Sequence, residues 1–106
     1  MTSKQIVFST AGSDEEARKI AHHLVEQRLA ACVNIVPQIT SIYQWQGKIE
    51  EGREWLLLIK TSAEMFGRVQ AAIRELHSYE LPECIAVDIA EGSPAYLQWI
   101  DSWLSK

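Results

Sequence analysis

Trp55-Leu56-Leu57-Leu58-Ile59 is an unbroken apolar run that ends at Lys60-Thr61. It is too short for a buried helix and too apolar for a strand with one face in water, which alternates. Ile6-Val7-Phe8 and Ala31-Cys32-Val33 repeat the pattern. A sheet made of such strands needs cover on both faces. A chain of 106 residues forms one domain, spanning 1–106, and its helices can cover one face. A partner chain is the economical cover for the other, so the Trp55–Ile59 run (Trp55, Leu56, Leu57, Leu58, Ile59) is expected at an interface between copies.

The rest of the chain supplies the helices. Lys4–Thr10 reads as a first strand. Ser13 is an N-cap with Glu16 closing the capping box, and Ala17, Ile20, Ala21, Leu24, Val25 and Leu29 follow at helical spacing. A second strand runs from Ala31 to Val36, is interrupted by Pro37, and resumes from Ile39 to Trp45. That proline demands an edge position or a bulge. A third strand covers Ile49–Thr61, with a kink expected at Glu51-Gly52. Thr61 or Ser62 caps a second helix with Phe66, Val69, Ile73 and Leu76 on its buried stripe. Glu83–Ala90 is a fourth strand. Ser93-Pro94 opens a last helix carrying Tyr96, Leu97, Ile100, Trp103 and Leu104. The order β-α-β-β-α-β plus a terminal helix is an α+β, ferredoxin-like antiparallel sheet. Right-handed crossovers place both main helices on one sheet face and leave the other bare.

Ser41–Glu50 forms the tip of the long hairpin. Ile42 and Gln44 point one way, Tyr43 and Trp45 the other, and Gly47 supplies a positive φ for the turn. Two aromatics on one side of a hairpin tip meet a partner chain or line a ligand cleft.

A net charge of −4 argues against nucleic-acid binding. No apolar span suits a membrane helix. Met1-Thr2-Ser3-Lys4 leads straight into a strand, so no signal peptide is expected. Cys32 and Cys84 fit free thiols in a reducing compartment, so a cytoplasmic location is expected.

The chemistry-bearing groups gather at His77-Ser78-Tyr79-Glu80-Leu81-Pro82-Glu83, where an imidazole, a phenol and two carboxylates can bind a metal or a polar ligand. The alternative role for His77 is to hold the end of the second helix. His22 and His23 are adjacent, hence on different sides of their helix, and read as surface residues. Cys32 and Cys84 are soft ligands in principle and small buried hydrophobes otherwise. Lys60 meets an anion or pairs with Glu80 or Glu83. No Gly-rich phosphate loop, nucleophile elbow or catalytic triad is present, which argues against an enzyme.

These segments together resemble the CutA family of divalent-cation tolerance proteins. The matching parts are Leu29–Ile35 (LAACVNI), Ser41–Glu50 (SIYQWQGKIE), Leu57–Thr61 (LLIKT), His77–Glu83 (HSYELPE) and Tyr96–Trp99 (YLQW). The resemblance implies a homotrimer with the architecture of PII signalling proteins, the long hairpin of each copy pairing with its neighbour. It also implies copper or other divalent-cation binding, with no obligatory cofactor. Some members carry cysteine where this chain has Ser9, and many read His-Pro-Tyr where it has His77-Ser78-Tyr79. The metal candidates that remain are His77, Glu83 and Cys32. Tyr43, Trp45, Lys60, Tyr79 and Glu80 are the expected walls of a ligand cleft between subunits. The alternatives are a PII-like small-ligand sensor or a trimeric scaffold for a protein partner.

Overall fold

The structure is a computed structural model that describes residues Thr2–Ser105; Met1, the first residue of the segment read as free of a signal peptide, lies outside them. Four strands form one antiparallel sheet: β1 (Lys4–Ala11), β2 (Cys32–Trp45), β3 (Lys48–Ser62) and β4 (Ile85–Asp88), in the order β2-β3-β1-β4. Three helices accompany it: α1 (Asp14–Glu26), α2 (Phe66–Leu76) and α3 (Pro94–Trp103). The α+β order is the one expected from the sequence.

Local chemistry sets the boundaries. Ser13 Oγ accepts the Glu16 amide at 3.1 Å and starts α1. The reciprocal half of the capping box is missing, because the Glu16 carboxylate turns instead to Gly12 and Ser78. At the other end of α1, Arg28 takes a left-handed φ of 60° and stacks its guanidinium over Trp103 at 4.1 Å. The Trp103 indole donates to the Val25 carbonyl at 2.7 Å, fastening α3 to the end of α1. Ser93 Oγ caps α3, with Pro94 following. The second helix starts later than expected. Thr61 gives its hydroxyl to the Leu29 carbonyl at 2.7 Å, Ser62 makes no side-chain cap, and a 3-10 turn (Ala63–Met65) precedes α2. β4 is also shorter than its apolar signal, leaving Glu83 and Cys84 ahead of the strand.

The hairpin turn is a two-residue loop. Gln46 (φ 52°) and Gly47 (φ 80°) are both left-handed, and Trp45 pairs with Lys48 across it. The expected kink at Glu51-Gly52 does not occur: Gly52 pairs regularly with Ser41. The irregularity is on the other strand. Register shifts between Val36 and Ile39, where Pro37 offers no N–H and Gln38 swings to φ 53°. β1 pairs with β3 only as far as Trp55. Beyond it, Ile39–Trp45 and Lys48–Glu54 project as a two-stranded arm.

Alternation along β3 corrects the interface expectation. Leu57 and Ile59 are 0% exposed, and with Trp55 they face the helices. There they meet Val7 and Ala11 of β1, Ile20 and Leu24 of α1, Val69 and Ile73 of α2, and Ile100 of α3. Leu57 and Ile59 belong to the core of the protomer itself and offer no surface to a partner; Trp55 is half-buried at its edge. Leu56 and Leu58 point the opposite way, beside Thr10 and Phe8 in register. Val36, Ile85 and Val87 share that open face, the last two 60% and 51% exposed. The apolar run is therefore divided between the two faces: Leu57 and Ile59 are closed inside the protomer, while Leu56, Leu58 and the half-buried Trp55 keep some surface.

Candidate acidic and aromatic cleft

The arm and the loop after α2 enclose a cleft of about 590 Å³, lined by Thr10, Ser41, Ile42, Tyr43, Trp45, Glu54, Tyr79, Glu80, Leu81 and Glu83. Four expected wall residues, Tyr43, Trp45, Tyr79 and Glu80, meet here, as does Glu83. Lys60 does not line the cleft. Its Nζ lies 3.2 Å from the Tyr96 hydroxyl and 5.5 Å from that ring's centre, so the expected pairing with Glu80 or Glu83 gives way to a contact with α3. Among the described residues, no Lys or Arg lines the cleft.

The loop is held by a buried imidazole. His77 caps α2 through its amide, which donates to Ile73. Its ring reaches β1: Nε2 lies 2.6 Å from the Thr10 carbonyl oxygen, and Nδ1 accepts the Tyr79 amide at 3.1 Å. Those two bonds require the proton on Nε2, which donates to Thr10. Both ring nitrogens are thus occupied, and the side chain is fully buried. Glu16 Oε2 accepts the Ser78 amide at 2.9 Å, and Oε1 sits 3.8 Å from His77 Nδ1. Burial works to raise the Glu16 pKa, but the Ser78 hydrogen bonds, His77 and the Gly12 amide together hold it below the usual carboxylate value.

Tyr79 is positioned by this clasp. Its ring packs on His77 at 4.5 Å, and its hydroxyl donates to Glu54 Oε2 at 2.8 Å. Burial, the bond to Glu54 and the neighbouring Glu54, Glu16 and Tyr43 groups push the phenol's pKa upward. Glu83 is also pushed up, first by desolvation and then by repulsion from Glu54. Ionising Glu83 therefore costs more in the folded chain than in the unfolded one. It subtracts from stability as pH rises from the ordinary carboxylate range through its raised value. Glu54→Gln is expected to lower the Glu83 pKa and to remove part of this pH dependence. Carbon-13 titration of the Glu83 carboxyl checks it; an unchanged midpoint would refute the coupling.

The metal set expected from the sequence does not assemble. His77 has no free nitrogen. Cys32 lies in register with Lys60, away from the cleft, with its thiol 3.8 Å from Asn34 Oδ1. Among the described residues, no group of three His, Cys, Asp or Glu side chains is poised to hold a metal. Cys32 and Cys84 are both free thiols and half-buried, and burial raises the Cys84 pKa. His22 is exposed, 3.7 Å from Glu26.

Glu54 is the important residue that the sequence reading passed over. The two-residue turn sets the register that pairs it with Ile39. Alternation from there places it on the same side of the arm as Tyr43 and Trp45. Glu16 and Ser78, which clasp the loop, carried no comparable signal, because their contact joins residues 62 apart in the chain.

No described helix is long and apolar enough to cross a membrane. The profile of the family described as "CutA1 divalent ion tolerance protein" matches residues 5–103. A divalent-cation tolerance protein CutA of Thermus thermophilus is 50% identical over 92% of this chain and 94% of its own length. The mouse protein CutA is 46% identical over 92% of this chain, which spans about half (55%) of the mouse protein. The crystal structure of CutA from Xylella fastidiosa superposes with a TM-score of 0.95 at 42% identity, covering 98% of this chain and 100% of that one. By sequence and by fold, the chain belongs to the CutA1 family of divalent ion tolerance proteins.

Proposed function

We propose that this chain is a non-catalytic, homotrimeric protein of the divalent-cation response, which takes up a divalent cation at the carboxylates of the cleft. The carrying observation is that Glu54 and Glu83 line one cleft in which, among the described residues, no Lys or Arg stands, and where burial and then repulsion from Glu54 raise the Glu83 pKa. A cation relieves that repulsion, and Glu80 adds to the attraction. Oxygen donors suit harder divalent ions better than copper, for which the cysteine and imidazole ligands are not at hand. Two carboxylates make a partial shell that water or a neighbouring copy completes.

Assembly is supported by the open face. Exposed Ile85 and Val87, with half-buried Leu56 and Leu58 beside them, make an apolar surface that suits a partner copy. The free thiols fit a reducing compartment, which we take to be the cytoplasm. The test is calorimetric titration with Mn²⁺ and Cu²⁺ of the wild-type protein and of Glu83→Gln. Saturable Mn²⁺ binding that weakens roughly tenfold in the variant is expected for the loss of a charged ligand. Equal binding by both proteins would remove the cleft from the cation response.

A further inference from the structure

The cleft contains more than a metal ion uses. Tyr43, Trp45, Tyr79 and Leu81 give it apolar and aromatic walls, and Glu54 and Glu83 supply the charge. A hydrated divalent ion gains little from indole and phenol faces and asks for converging oxygens instead. An organic cation uses both halves. The negative faces of Trp and Tyr attract an ammonium or guanidinium head, carboxylates neutralise it, and Leu81 shelters its carbon stem. The wall is also partly preset. Tyr79 is held by His77 and by its 2.8 Å bond to Glu54, so the two tyrosines and the carboxylate face the same space before any ligand enters.

We propose that the cleft between the hairpin arm and the His77–Glu83 loop binds a small organic cation, an alkylammonium or guanidinium group on a short apolar stem, with Trp45 and Tyr43 against the head and Glu54 and Glu83 as its counter-charges. The inference rests on the cation reading of the cleft and names a second class of ligand for it. An anionic or nucleotide-like ligand finds no counter-charge there, since Lys60 is turned to Tyr96.

The experiment compares n-butylammonium with n-butanol, its neutral analogue, by calorimetry on the assembled protein, with Mn²⁺ titrated in parallel. Saturable binding of butylammonium, at least roughly tenfold tighter than butanol, is the expected result. Trp45→Leu keeps apolar bulk and removes the π face; it weakens butylammonium roughly fivefold and leaves Mn²⁺ unchanged. Glu83→Gln weakens both. Mass by light scattering confirms that each variant keeps its assembly. Butanol binding as well as butylammonium, or a Trp45→Leu variant that binds butylammonium at wild-type strength, overturns the inference. Mn²⁺ binding with no butylammonium binding overturns it and leaves the metal reading standing. Binding of neither ligand removes both.

Discussion

Leu57→Asp and Leu58→Asp, adjacent and chemically identical substitutions, are expected to fail in opposite ways. Leu57 is fully buried against the helices. An aspartate there leaves a cavity and a carboxylate with no partner, at a cost of about 4 kcal/mol or more, a large share of a small domain's stability. The Leu57 variant is expected to be unfolded or insoluble. Leu58 is on the open face beside Phe8. That side chain is half-buried, so an aspartate there reaches water at the open face of the isolated protomer; the fold is weakened but survives, and self-association is lost. Circular dichroism with light scattering separates the two: no cooperative transition for Leu57→Asp, and a folded chain at the single-copy mass of 12.0 kDa for Leu58→Asp. A Leu58→Asp protein that kept the wild-type mass would remove the open face from the assembly.

His77→Ala is the second large effect, and it is expected in stability before it is expected in binding. The substitution deletes the donor to Thr10 and the acceptor for the Tyr79 amide, and it empties a fully buried space. One buried and one part-buried backbone group lose their partners and a buried space empties, so a loss of about 2–4 kcal/mol is expected. Tyr79 then loses both its ring contact and its backbone anchor. The cleft wall should loosen with it, which hydrogen exchange at Ser78–Glu80 would register as reduced protection. If the denaturation midpoint of His77→Ala matched the wild type, the clasp would not be structural. A fall in cation binding by this variant would not identify His77 as a ligand, since the wall it supports moves at the same time.

What could be foreseen from sequence follows the range over which each signal acts. Ser13, Ser93-Pro94 and Gly47 were legible because caps and turns are made by neighbours in the chain. The order of elements was legible because periodicity is local too. The faces of β3 were not: a continuous apolar run erases the alternation that tells Leu57 from Leu58. The polar partners were legible only where a register carried them. Lys60 turned to Tyr96 rather than to an acid, and Cys32 lay out of reach of His77. His77 bonded a strand carbonyl distant in sequence, which spacing cannot forecast. The His77 amide closes the helix, one of the two roles expected of it, and its ring braces the strand.

The bulge at Pro37-Gln38 has a consequence for solubility. β2 is an edge strand, and its free side would otherwise offer a long ladder of amides and carbonyls to any passing strand. Pro37 deletes a donor from that ladder, and the left-handed Gln38 breaks its rhythm. A foreign strand can then add only in two short, misaligned pieces. Interruptions of this kind blunt the templated stacking that leads to amyloid, so a chain with such apolar strands can keep a long hairpin without seeding fibrils.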